Sequence, residues 1–126
     1  MTRYLMAAAL GLALAAQTTI VRAQDSEPET IPFEGGAFAI TETPEMDKTL
    51  SFDGQLLARN YYVSLDRIIL LGDTNVALFW VGEGGNACGP AMLIAWRNGG
   101  SMDSDIVGED DCGAPPASAT SDTLYF

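Results

Sequence analysis

Five carboxylates stand within nine residues of one another, Asp103, Asp105, Glu109, Asp110 and Asp111, crowded around Gly108. Hard oxygen donors at this density are what calcium takes as ligands. With Asp103 as the first position of a calcium loop, the third is Asp105 and the sixth is Gly108, as such a loop requires. The fifth, however, is Val107, and the twelfth is Ala114 where a bidentate glutamate belongs. Half of the pattern is present, and a solvated acidic turn explains the same residues without a metal. Calcium on these five side chains is the only cofactor the sequence raises.

The other residues with reactive potential argue mostly by exclusion. The chain has no histidine, which removes Ser-His-Asp and Cys-His catalysis, and no G-x-S-x-G elbow is found. Ser51 lies three residues after Lys48, a spacing that would form a dyad on a helix, and the 17 acidic residues offer many carboxylate pairs but no preferred one. A hydrolase built from either set is the weakest alternative, and the expectation is that the protein is not an enzyme. Gly82-Glu83-Gly84-Gly85-Asn86-Ala87 matches G-x-G-x-x-A after an apolar run. Cys88-Gly89-Pro90 and another apolar run follow it, so no helix N-terminus is available to a phosphate, and the glycines read as a loop that needs φ > 0. Cys88-Gly89-Pro90-Ala91 shares three residues with the thioredoxin redox motif, but Ala91 stands where the resolving cysteine belongs.

The fate of those cysteines depends on compartment, which the N-terminus addresses. Arg3 provides a positive start, residues 5–16 are uninterruptedly apolar, and Val21-Arg22-Ala23 presents small or β-branched residues at the positions a signal peptidase reads. Residues 1–23 are therefore expected to be an export signal cut after Ala23; the apolar stretch is shorter than the ~20 residues a spanning helix needs. Gln24 at the new terminus has no thiol for a lipid anchor. In an oxidising compartment Cys88 and Cys112 are expected to form a disulfide, since the chain holds no other cysteine. Closing that loop stabilises the fold by about 3–4 kcal/mol on a chain-entropy argument.

Export also sharpens the charge. All 17 acidic residues follow Ala23 but only four basic ones do, Lys48, Arg59, Arg67 and Arg97, a net of −13. Such a chain repels phosphate backbones and anionic lipid, so nucleic acid and the membrane surface are disfavoured as partners, and a basic protein is favoured. Tyr61-Tyr62 places adjacent rings on opposite faces of a strand, one toward the core and one outward. If Tyr62 is the outer one, beside Arg59 or Arg67, it is a candidate interface anchor, these residue types being frequent hot spots.

The elements that carry these residues read as β. Residues 24–35 hold two prolines and four carboxylates and read as a flexible acidic leader, with one domain over residues 36–126. Residues 37–40 suit a first strand, and Thr43-Pro44-Glu45-Met46-Asp47 carries helix-start signals, predicting one short helix or helical turn. Asp53-Gly54 marks a hairpin turn. From Tyr61 the pattern is β throughout: residues 61–66 alternate and residues 68–71 continue apolar on both faces to a break at Gly72-Asp73, then come two runs, 76–81 and 91–96, apolar at every position, as expected when both faces are covered. Residues 101–107 suit a polar edge strand, and residues 124–126 either a last strand pairing at a sheet edge or the opening of a strand in a longer chain. Six or seven short strands with turns every ~8–12 residues predict a mainly β fold, a small antiparallel β-sandwich or barrel with one disulfide.

The segment Gly85-Asn86-Ala87-Cys88-Gly89-Pro90-Ala91, followed by an apolar strand and later by Cys112-Gly113, resembles a pattern in small exported bacterial proteins of unknown function. The resemblance implies a periplasmic address and no particular activity. The sequence as a whole leads to the expectation of an exported, acidic, non-catalytic binding module of the inhibitor or accessory type, with a calcium-binding domain as the alternative.

Overall fold

The computed structural model of the protein describes residues 27–85 and 87–126; the expected export signal lies outside them. The first four strands, β1 (Glu29–Phe33), β2 (Gly36–Glu42), β3 (Lys48–Phe52) and β4 (Gln55–Asn60), form one antiparallel sheet in chain order. The next four, β5 (Tyr62–Leu71), β6 (Thr74–Gly82), β7 (Ala91–Asn98) and β8 (Ser101–Val107), form a second of the same kind. Two short strands, β9 (Ser118–Ala119) and β10 (Leu124–Tyr125), pair as a separate ribbon. Tight turns explain the up-and-down order. Asp53 and Gly54 sit at φ 45° and 87°, the two consecutive left-handed residues that a hairpin turn twisting with its strands requires.

Alternation then builds a sandwich. Ile31, Phe33, Phe38, Ile40, Leu50 and Phe52 from the first sheet meet Val63, Phe79, Val81 and Leu93 from the second in one buried cluster. Phe38 is its centre: its ring lies 5.0 Å from those of Phe33 and Phe52 and 4.9 Å from that of Phe79 across the gap. Edge-on and tilted aromatic contacts of this kind add to the area they bury. The second sheet also carries apolar residues on its far face, where Val76, Leu78 and Met92 are buried against Ala117 and Leu124 of the C-terminal segment. Both faces of β6 and β7 are thus covered, which is why neither strand alternates.

Several expectations are corrected. Residues 29–33 of the supposed leader form β1, with Ile31 and Phe33 buried; Pro32 misleads because proline is tolerated on an edge strand. Residues 43–47 form a turn and not a helix, closed by bonds from Thr43 N to Asp47 O (2.8 Å) and Met46 N to Thr43 O (3.0 Å). Proline and acidic residues serve turns as well as helix starts, and the pairing of Glu42 with Lys48 leaves no room for a helix. Tyr61 and Tyr62 are both exposed, because Tyr61 falls in the link between the sheets. Residues 124–125 pair with β9 instead of a sheet edge, as part of the layer over the second sheet.

The aromatic centre has a measurable consequence. Phe38→Ala should destabilise the protein by about 3–5 kcal/mol in urea unfolding. Leu56→Ala, at a position 61% exposed, should stay within about 0.5 kcal/mol of the parent.

Candidate functional site

At one end of the second sheet the chain must pass from β6 to β7 and from β8 to the C-terminal layer, and the two connections meet. Cys88 in the first is bonded to Cys112 in the second, with Cα atoms 4.5 Å apart. Main-chain bonds extend the junction: Gly89 N donates to Cys112 O (3.1 Å) and Ala114 N donates to Pro90 O (2.9 Å). Glycine is needed where the strands of chain touch. A Cβ on Gly108, at φ 87°, would come within 2.5 Å of Ala114 N, and one on Gly113, at φ 119°, within 3.1 Å of the Gly89 backbone.

This crossing encloses a cleft of about 360 Å³, at the small end of ligand-sized cavities. Its apolar lining comes from Val81, Ala91 and Ile106, and its polar groups from Asn60, Glu83 and Glu109. A neighbouring hollow of about 300 Å³ shares Gly82, Gly85, Cys88 and Gly89 with it and adds Tyr62 and Pro90. Among the described residues, neither Glu83 nor Glu109 has an ion-pair partner. Asn60, Glu83 and the cleft itself escaped the sequence reading; the run of glycines before Cys88 is the signal that pointed there.

The five carboxylates of the proposed calcium loop do not converge. Asp103 and Asp105 lie on β8 opposite Trp96 and Ile94, where Asp103 accepts a bond from Asn98 Nδ2 (2.7 Å) and Asp105 from Ile106 N (2.8 Å). Glu109 lines the cleft, and Asp110 and Asp111 are exposed on the turn beyond it. Among the described residues, no three His, Cys, Asp or Glu side chains gather as a metal-ligand group. The Lys48 and Ser51 dyad is dismantled by its strand, since residues three apart on β3 point to opposite faces.

The arginines have internal work. Arg59 Nε and Nη2 donate to Asp47, with Glu45 3.6 Å away. Arg67 pairs with Asp66 at 3.3 Å and donates to Ala117 O, tying β5 to the C-terminal layer. Arg97 donates to Glu34 O at 2.9 Å and lies 5.5 Å from the centre of the Phe52 ring. Neither Arg59 nor Arg67 therefore stands as a free partner to Tyr62, which instead accepts a hydrogen bond from Ser64 Oγ (3.0 Å) and borders the smaller hollow.

A family described as the Y4bG N-terminal domain matches residues 34–126. The chain belongs to that family. The matched span takes in every strand from β2 onward, both cysteines and the whole cleft. Comparison with curated proteins and with solved structures finds no match. The disulfide fits an oxidising environment, and no helix among the described residues is long and apolar enough to cross a membrane.

Replacing both cysteines by serine should cost about 3–4 kcal/mol in urea unfolding, from the freedom regained by the unfolded chain. A second outcome concerns Asp47. The Arg59 guanidinium, and then the Thr43 hydroxyl, hold its carboxyl below the ordinary aspartate value of 3.8. A carboxylate lowered by folding contributes stability above its unfolded value and loses it as the pH falls through the folded one. An NMR titration of the Asp47 carboxyl should therefore have its midpoint below 3.8, and Arg59→Gln should move that midpoint upward.

Proposed function

We propose that the protein is a non-catalytic interaction module, of the inhibitor or accessory type, that acts in the periplasm or outside the cell after removal of residues 1–23 and meets a cationic partner. The observation that carries this reading is where the positive charge goes. Arg59, Arg67 and Arg97 are each turned onto acidic side chains, backbone carbonyls or an aromatic ring of the same molecule. The excess of acidic residues is left facing solvent, including Glu83, Glu109, Asp110 and Asp111 at the disulfide-bonded end. A surface of this sign accelerates encounter with a basic protein and repels nucleic acid and anionic lipid. The lack of histidine and the separation of Lys48 from Ser51 argue in the same direction, against hydrolysis.

Electrostatic recognition has a defined salt dependence. Immobilised mature protein should retain a basic protein from the envelope fraction at about 0.01 M ionic strength and release it at about 1 M, as the screening length falls from ~30 to ~3 Å. Failure to retain any basic protein at the lower ionic strength would rule this function out.

A further inference from the structure

We infer that the cleft at the Cys88–Cys112 crossing is the recognition pocket for a single positively charged side chain of the partner, arginine in preference to lysine. This inference rests on the proposed function for the sign of the partner, and adds where and how it is read. The cleft offers what such a side chain needs at both of its ends. Its volume of about 360 Å³ and its lining of Val81, Ala91 and Ile106 suit the aliphatic stem of one long side chain. Glu83 and Glu109 belong to the same lining, one from each connection, and among the described residues neither has an ion-pair partner. A planar guanidinium can engage two carboxylates through its fixed fork of donors, whereas an ammonium presents a point charge; the Asn60 amide oxygen is already occupied by Tyr61 N, from which it accepts at 2.9 Å.

The construction of the pocket supports the assignment. Its walls are backbone held by the disulfide and by the bonds of Gly89 and Ala114 across the crossing, so the two connections that bear the carboxylates are tied to each other before any ligand arrives. A ligand binding to a site formed in advance loses less ordering entropy than one that must assemble it. Gly85 borders both hollows, and a Cβ there would meet nothing within 4 Å. A bulky residue at this position can therefore fill the opening without displacing the fold.

The test is an NMR titration of the mature protein with a blocked Ala-Arg-Ala tripeptide, its lysine counterpart, and a citrulline counterpart that keeps the shape but lacks the charge. The expected result is saturable shifts confined to residues of the cleft, weaker binding of the lysine peptide and none of the citrulline peptide. Glu83→Gln with Glu109→Gln, and separately Gly85→Trp, should each weaken the arginine peptide at least about tenfold, the scale of one lost charge-assisted contact. Asp73→Asn with Asp122→Asn makes the same charge change at the far end of the second sheet and should leave affinity unchanged. Melting temperatures identify any variant that fails to fold, and the two cleft variants act by independent means. Equal binding by parent and both cleft variants, or binding of citrulline as strong as arginine, overturns the pocket while leaving the retention of a basic protein to decide the broader function. Lysine binding as tight as arginine overturns the guanidinium preference.

Discussion

The second sheet cannot be left bare on either side. β6 and β7 carry apolar residues at nearly every position, so a single sandwich partner satisfies only half of them. The first sheet covers one face through the cluster centred on Phe38, and the chain must then return across the other. That return carries Ala117 and Leu124 over Val76, Leu78 and Met92, and it begins at the end of β8. Everything distinctive about the molecule follows from this second covering. It forces the segment after Val107 to cross the loop that joins β6 to β7, and the crossing is where the disulfide, the close-packed glycines and the cleft are found.

Charge follows the same logic. An acidic domain with few cations has to place them where geometry gives the most, and each arginine reinforces a junction between separate parts of the chain. Arg59 closes the turn between β2 and β3 onto β4, Arg67 holds the C-terminal layer to β5, and Arg97 lies over the Phe52 ring while it donates to the β1–β2 turn at Glu34 O. Each of these contacts is partly exposed and individually modest. Their collective effect is on the surface potential, because cations engaged inside the molecule do not neutralise the carboxylates at the open end.

Much of the architecture was legible in the sequence because it rests on local rules. Alternation in β5, the uniform apolarity of β6 and β7, the Asp53-Gly54 turn and the cysteine pair all have short-range or compositional causes, and the antiparallel β fold with its one disulfide follows from them. What misled was chemistry shared by two structures. Thr43-Pro44-Glu45 marks a turn as readily as a helix start, and two prolines with four carboxylates hid the alternation of Ile31 and Phe33 in β1. The site was legible only in part. Glu109 was singled out, but in company with Asp103 and Asp105, which β8 points elsewhere. Glu83 and Asn60 reach the same cleft from remote segments, and no spacing in the sequence announces a meeting that only the tertiary crossing creates.

Hydrogen–deuterium exchange of the mature protein, compared with and without a disulfide reductant, tests most directly whether the crossing is what holds the outer layer and the cleft in place. Reduction should deprotect residues 87–91 and 108–126 together, while β2, β3 and the Phe38 cluster keep their protection, since local opening then stops at the first core. Uniform loss of protection across both sheets, or unchanged protection in the C-terminal layer, would contradict it.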